Sequence, residues 1–315
     1  MIESFGKPDS EVCSQGFTLN NLGGLSMKKK WMTAGAGLGI GAVLLLASGF
    51  SAMANTSGYD AYKTALKNTK AETSLTTNVD LTISDNGKML VTGAADLKVN
   101  KEQKAGSVAA TIGDSSEKRS INVFRQEGKV IFKSSEEDVY KVREMNAPKW
   151  QRNGDHSNPS KVVEQVIGTL LGNIKDLATV EDQGNGGKHA ELHLSGDQVP
   201  AVVNAVGTVV VSKLANHKNN EKAPDWMTNM PKLTDNIKVE KIDMDAEIST
   251  KDILEEQTAK IKIIGTDKSG KKHELTFTIH VDYSDLNKTV PEHIDLTGKK
   301  IEEIKNKGMK RGWRH

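Results

Sequence analysis

The sequence predicts an α+β fold of long antiparallel sheets, each with one buried and one wet face, and three observations carry that prediction. Leu275, Phe277, Ile279, Val281 and Tyr283 alternate with Glu274, Thr276, Thr278, His280 and Asp282, the period of a strand buried on one side. Val79, Leu81 and Ile83 alternate in the same way and lead into Asp85-Asn86-Gly87-Lys88, whose Asn-Gly pair suits a tight hairpin turn. Between the strand-rich ends, Val162, Val163, Val166, Ile167, Leu170, Leu171 and Ile174 recur at helical spacing. Strands grouped on either side of a helical middle make the class α+β.

Taken in order, residues 57–70 read as an amphipathic helix, with Ser57 and Asp60 as a capping-box-like start and Tyr59, Tyr62 and Leu66 on one face. The first hairpin returns with Met89, Val91, Ala95, Leu97 and Val99 on one face. Short strands are expected at Val108–Ile112, Ile121–Arg125, Lys129–Lys133 and Val139–Arg143, with Gly128 and Ser134–Asp138 as turns. Asn158 caps a helix that has Pro159 at its first position and runs to Lys175. A hairpin at Thr179–Glu181 and Lys188–Leu194 turns through Gly184–Gly187. A second helix is expected over Gln198–Ala215, against a rival strand at Thr208–Val211, because its apolar positions are rich in valine. Ile242–Ile248, Ala259–Ile263 and Leu275–Tyr283 complete the strands. The hairpins Val79–Val99 and Ala259–Tyr283 are alike in length and turn, so a duplicated pair of lobes is a further expectation.

The N-terminal region speaks to location. Lys28-Lys29-Lys30 precedes the uncharged run Trp31–Phe50, and Ala52-Met53-Ala54 has the small-x-small pattern of a signal-peptidase site. The lysines hold their side of the membrane in the cytoplasm, so the rest of the chain is expected outside. An uncleaved anchor is the competing reading, since about 20 apolar residues span a bilayer core. No cysteine follows the run, which argues against a lipoprotein. Residues 1–26 read as a leader from a mis-assigned start, with Met27 as the true beginning. Residues 55–298 form the extracytoplasmic domain, and 299–315 a basic tail.

Without residues 1–54 the chain keeps 39 basic and 38 acidic side chains, losing Lys7, Lys28, Lys29 and Lys30 against Glu3, Asp9 and Glu11. That balance argues against nucleic acid as a partner. The one cysteine, Cys13, lies in the leader, so stability must come from packing rather than disulfides. The lysine-rich, aromatic-poor composition is in the style of Gram-positive envelope proteins.

A signal, a short helix, long one-sided hairpins and helices set among them resemble the LolA/LppX-like lipoprotein-carrier fold over residues 57–297. Leu194-Ser195-Gly196-Asp197-Gln198-Val199-Pro200-Ala201 resembles segments of uncharacterised Gram-positive envelope proteins. The resemblance implies a curved, incomplete barrel closed on its concave side by helices, with room between them for an acyl chain. It has no signature motif and transfers no functional residue. The lining it implies would include Val163, Ile167, Leu170, Leu171, Val203, Val206 and Val210.

Candidate chemistry is sparse. His189, Glu191 and His193 share one strand face, where two imidazoles and a carboxylate could bind zinc; a solvated polar face opposite Ala190, Leu192 and Leu194 explains the same letters. No nucleophile elbow, P-loop or dinucleotide fingerprint is present. The pairs Glu136-Glu137 and Glu255-Glu256 fall in expected turns or links, where solvation explains them. Trp150 and Trp226 sit in polar loops, as partner contacts or as plugs folded back on the core. The tail carries Lys299, Lys300, Lys305, Lys307, Lys310, Arg311 and Arg314 with Trp313, against Glu302 and Glu303, and could touch an anionic surface.

These readings point to a non-enzymatic envelope protein without a cofactor. It would bind an apolar ligand, a lipid or acyl chain, between sheet and helices as carrier or sensor. The alternative is a ligand-free interaction or scaffold module that regulates another envelope protein.

Overall fold

The computed structural model describes residues 57–145, 177–201, 203, 204, 207, 208 and 230–304. Helix α1 (Ser57–Ala71) leads into β1 (Ser74–Asp85), β2 (Lys88–Asn100), β3 (Ala105–Gly113), β4 (Lys118–Gln126), β5 (Lys129–Ser134) and β6 (Tyr140–Glu144). Then come β7 (Ala178–Asp182), β8 (Lys188–Ser195), β9 (Leu233–Ile248), β10 (Leu254–Asp267), β11 (Lys272–Ser284) and β12 (Ile301–Glu303). All twelve strands join one open sheet in the order β12-β6-β5-β4-β3-β2-β1-β11-β10-β9-β8-β7. Every pairing is antiparallel except that of β12 with β6. The architecture is an incomplete α+β barrel, as expected. The hairpins β1–β2 and β10–β11 are side by side in it, with β1 paired to β11 from Thr76↔Ser284 to Asp85↔Leu275, rather than in separate lobes.

One face of the sheet, here the inner face, is apolar. Val79, Leu81, Ile83, Ile279 and Val281 form its centre. Leu194, Val239, Ile242, Ile263 and Leu275 continue it toward β8, and Val108, Val123, Val130 and Phe132 toward β5. Helix α1 lies on this face, packing Tyr62, Ala65 and Leu66 against Ala190, Ala246, Ile248 and Leu254. The Thr69 hydroxyl accepts the Leu254 N–H at 2.9 Å while donating to Ala65 O at 2.7 Å, which pins the last turn of the helix to the start of β10.

Two bulges explain departures from simple alternation. Met89 was expected beside Val91 on the buried face, but the β1–β2 register shifts between Ile83 and Ser84, so Met89 opposes Ser84. Met89 is consequently 60% exposed, and Leu90 packs on the core instead. Strand β9 extends nine residues before Ile242. Its register slips between Lys262 and Ile263, placing both Val239 and Ile242 inward although they are three residues apart. A period of two cannot be read through such an insertion.

The outer face is covered in part by residues 285–300. Thr289 meets Thr76 and Ser74, Glu292 N donates to Ser107 Oγ at 3.0 Å, and Gln126 bonds both backbone groups of Ile294 at 2.9 Å. Ile294 and Leu296 then cover Phe124, Ile131 and Val142. Ile301–Glu303, in the stretch read as a basic tail, pairs with Tyr140–Val142. Lys300 bonds Asp138 and Lys299 lies over the Tyr140 ring.

Candidate functional site

The inner face is the larger candidate. Helix α1 contacts β7, β8, β9 and β10, so it screens only one end of the sheet. There Tyr62 donates to Gln257 Oε1 at 2.6 Å and Gln257 Nε2 donates to the Tyr283 hydroxyl at 3.0 Å. Burial pushes the Tyr62 phenol above its ordinary range and the Tyr283 phenol up to about 12, so both stay neutral hydrogen-bonding groups.

A second helical segment covers the neighbouring part. Ala201, Val203, Asn204, Gly207 and Thr208 have helical backbone, and Thr208 Oγ1 donates to Asn204 O at 2.9 Å; this decides against a strand beginning at Thr208. Asn204 Oδ1 accepts the Val239 N–H at 2.7 Å, a donor that sits at the β9 bulge. Gly207 lies so close to β9 that a Cβ there would stand 2.6 Å from Val239 Cγ2. Val199 and Val203 join Leu194, Val239 and Ile263. Of the expected lining, Val203 is therefore on the inner face. Val163, Ile167, Leu170, Leu171, Val206 and Val210 lie outside the described residues, as do Cys13, residues 31–50, Trp150, Trp226 and Trp313.

Beyond these helices the apolar face continues across β2, β3 and β4. Leu97, Ala110, Ile112 and Ile121 are only partly buried among the described residues, flanking the covered Val108 and Val123. At one end of the face a polar group closes the row. His273 lies between Asp85 (Nδ1 to Oδ2, 2.8 Å) and Asp267 (Nε2 to Oδ2, 3.4 Å). The Ser269 hydroxyl, with backbone N–H groups of the β10–β11 turn, holds Asp267 down to about 2.

The outer face of β8–β11 carries a cluster of titratable groups. His189, Glu191 and His193 do share one face, and all four imidazole nitrogens meet carboxylates. His189 Nδ1 is 2.7 Å from Glu247 and Nε2 2.8 Å from Glu191. His193 Nδ1 is 2.9 Å from Asp243 and Nε2 3.3 Å from Glu191. Desolvation opposes charging His189, but its hydrogen bonds to Glu191 and Glu247 outweigh that and raise its pKa. The Asp243 hydrogen bond raises His193, and His189, then His193, lowers Glu191. This chain of hydrogen bonds, which become ion pairs when the imidazoles are protonated, ties β8 to β9.

Glu255-Glu256, expected in a turn or link, lies in β10. Leu254 is the first residue of that strand, and Gln257 takes an inward position, so an inward polar residue hid the alternation. The register sets Glu256 opposite Asp282 and Thr258 opposite His280. Donor atoms of Glu256, His280 and Asp282 lie within 4.8 Å of one another. His280 and Asp282 were legible as one wet strand face; Glu256 joined them only through pairing.

No family model and no curated protein matches the sequence. Among solved structures, a LolA superfamily protein from Nitrosomonas europaea is 9% identical, with 77% of this chain and 97% of that chain covered, at a TM-score of 0.21. The ywiB protein of Bacillus subtilis is 12% identical, covering 69% of this chain and 97% of that one, at a TM-score of 0.16. Superpositions at this level do not define a shared fold, and the architecture stands on this chain's own strand order and register. No helix among the described residues is long and apolar enough to cross a membrane.

Proposed function

We propose that this protein is a non-enzymatic, extracytoplasmic cell-envelope protein that binds an apolar ligand, a lipid or acyl chain, on the inner face of its sheet as carrier or sensor. One observation carries the reading. The inner face runs apolar from β8 to β5, and beside its covered centre Leu97, Ala110, Ile112 and Ile121 are only partly buried among the described residues. Burying an acyl chain there removes apolar surface from water at roughly 25 cal/mol per Å², without needing any directed polar contact. The location rests on Lys28–Lys30, the uncharged run Trp31–Phe50 and Ala52-Met53-Ala54.

The test is displacement of a fluorescent fatty acid from the delipidated full chain, with native mass spectrometry of the protein as isolated. Saturable binding is expected, weakened by Leu97→Asp on the inner face and unchanged by Met89→Asp at its exposed site. Absence of binding, or equal loss in both variants, overturns the reading. N-terminal sequencing of the envelope-associated protein is expected to begin at Asn55; an intact Met27 start would establish an anchor instead.

A further inference from the structure

We propose that Glu256, His280 and Asp282 form a site for a divalent transition-metal ion of the Zn²⁺ type on the outer face of the sheet, bridging β10 and β11. The site lies on the face opposite the apolar one and is independent of it. Three carboxylates stand directly opposite one another along one row, Glu247↔Glu256 across β9–β10 and Glu256↔Asp282 across β10–β11. Like charges so placed repel. In the adjacent row Glu191 faces Asp245, and Asp245 has its pKa raised by burial, with Glu256 and Glu191 adding to the effect.

Several acidic side chains elsewhere on the sheet are matched. Lys98 meets Asp96 and Glu292, Lys262 meets Glu240 and Glu274, and Glu247 is taken by His189. Among the described residues neither Glu256 nor Asp282 pairs with a lysine or arginine, and Asp80, opposite His280 on β1, adds a further carboxylate to the same face. Glu256 and Asp282 meet only His280, at 3.6 Å and 3.3 Å. One imidazole thus serves two carboxylates, and an ion carrying two positive charges would answer the excess.

The donor set selects the ion. One nitrogen and two carboxylate oxygens suit Zn²⁺ and its neighbours, whereas Ca²⁺ takes about six to eight oxygens. Bonds of about 2.0–2.2 Å bring ligand atoms to about 3.3 Å from each other. The present separations, up to 4.8 Å, close by rotation of side chains that are 47% (Glu256), 33% (His280) and 44% (Asp282) exposed. The Thr258 hydroxyl, 3.0 Å from His280 Nδ1, orients the ring in the way a supporting hydrogen bond orients a metal-binding imidazole. Water completes the shell on the solvent side. At His280 the carboxylates face different ring nitrogens, Glu256 at Nδ1 (3.6 Å) and Asp282 at Nε2 (3.3 Å), so the Glu256 side chain must swing toward Nε2 to join the ion. The His189–Glu191–His193 chain is the weaker site because its His189 contacts to carboxylate are shorter, 2.7 and 2.8 Å, and an ion there must break one.

The experiment is Zn²⁺ titration of the full chain in metal-free buffer against a chromophoric chelator, with Ca²⁺ and Mg²⁺ as comparison ions. Wild type and His193→Gln are expected to bind one more Zn²⁺ per chain than His280→Gln or Asp282→Asn. Thermal melting without metal checks that the variants fold. In wild type, Zn²⁺ is expected to shift the His280 ring resonances in imidazole NMR, a readout that needs no variant. Stoichiometry unchanged in His280→Gln, loss only in His193→Gln, Ca²⁺ competing equally, or a His280 ring unmoved by Zn²⁺ would each overturn the site.

Discussion

Tyr62 of α1 and Gln257 of β10, 195 residues apart in sequence, share a 2.6 Å hydrogen bond inside the core. The bond fixes where the helix sits along the sheet, because Gln257 is the inward polar residue at that level and its amide also reaches Tyr283. Tyr62→Phe keeps the ring and removes the donor, leaving Gln257 Oε1 buried without it. The expected cost is about 1–3 kcal/mol, measured by urea unfolding. No loss of stability would show that the bond does not hold the helix.

Contact between Gly207 and Val239 allows the second helical segment to lie against β9. Gly207→Ala places a methyl group where Val239 Cγ2 stands and is expected to destabilise by about 1–3 kcal/mol through overpacking. Val239→Ala opens that space, so the alanine at 207 should cost less in the Val239→Ala background. A double-mutant cycle reads the difference; additive effects would place the contact elsewhere.

The His189–Glu191–His193–Asp243 chain makes stability depend on pH with a definite sign. His189 and His193 are raised above 6.5 in the folded protein, so their contribution is complete below pH 6.5 and fades as pH rises through the folded values. Glu191 and Asp243 are lowered from 4.5 and 3.8. Their contribution is present above those values and fades as pH falls through the folded ones. The chain therefore stabilises most between about pH 4.5 and 6.5. Melting temperature is expected to fall from pH 6.5 to 8, and the fall to flatten in a His189→Gln, His193→Gln double variant. An unchanged slope in that variant would assign the pH dependence to other groups.

Gln126 holds residues 285–300 on the outer face through two backbone hydrogen bonds to Ile294. Gln126→Leu removes both partners from a covered N–H and C=O, at an expected cost of about 1–3 kcal/mol. Hydrogen exchange is expected to quicken at Ile294 and in β12 while β10 and β11 keep their protection. Uniform loss of protection would mean that this segment unfolds only with the whole sheet.

Much of this was legible in the chain. The alternation of Leu275–Tyr283 and of Val79–Ile83 appears as buried inner positions, and Asn86-Gly87 is the turn, with positive φ at both residues. Helix α1 follows its Tyr59, Tyr62, Leu66 stripe. The misreadings cluster where a bulge or an inward polar residue interrupts a period: Met89, the first half of β9, and Glu255-Glu256. The metal candidates show the same division. His189, Glu191 and His193 were visible as one face, but their carboxylate partners Glu247 and Asp243 come from β9, 58 and 50 residues away.

The sequence by itself determined which residues alternate, where the tight turns fall and which stripe a helix must bury, because those follow from local backbone geometry and the transfer of apolar side chains out of water. Only the tertiary structure decided that both long hairpins share one sheet, that β6 and β7, consecutive strands in sequence, lie near opposite edges, and that residues 285–304 cross the outer face and end as a parallel edge strand. It also decided that Glu256 stands beside Asp282 and His280. Strand pairing is a choice among many possible registers, and it is set by the summed burial and hydrogen bonding of the whole sheet rather than by any segment alone.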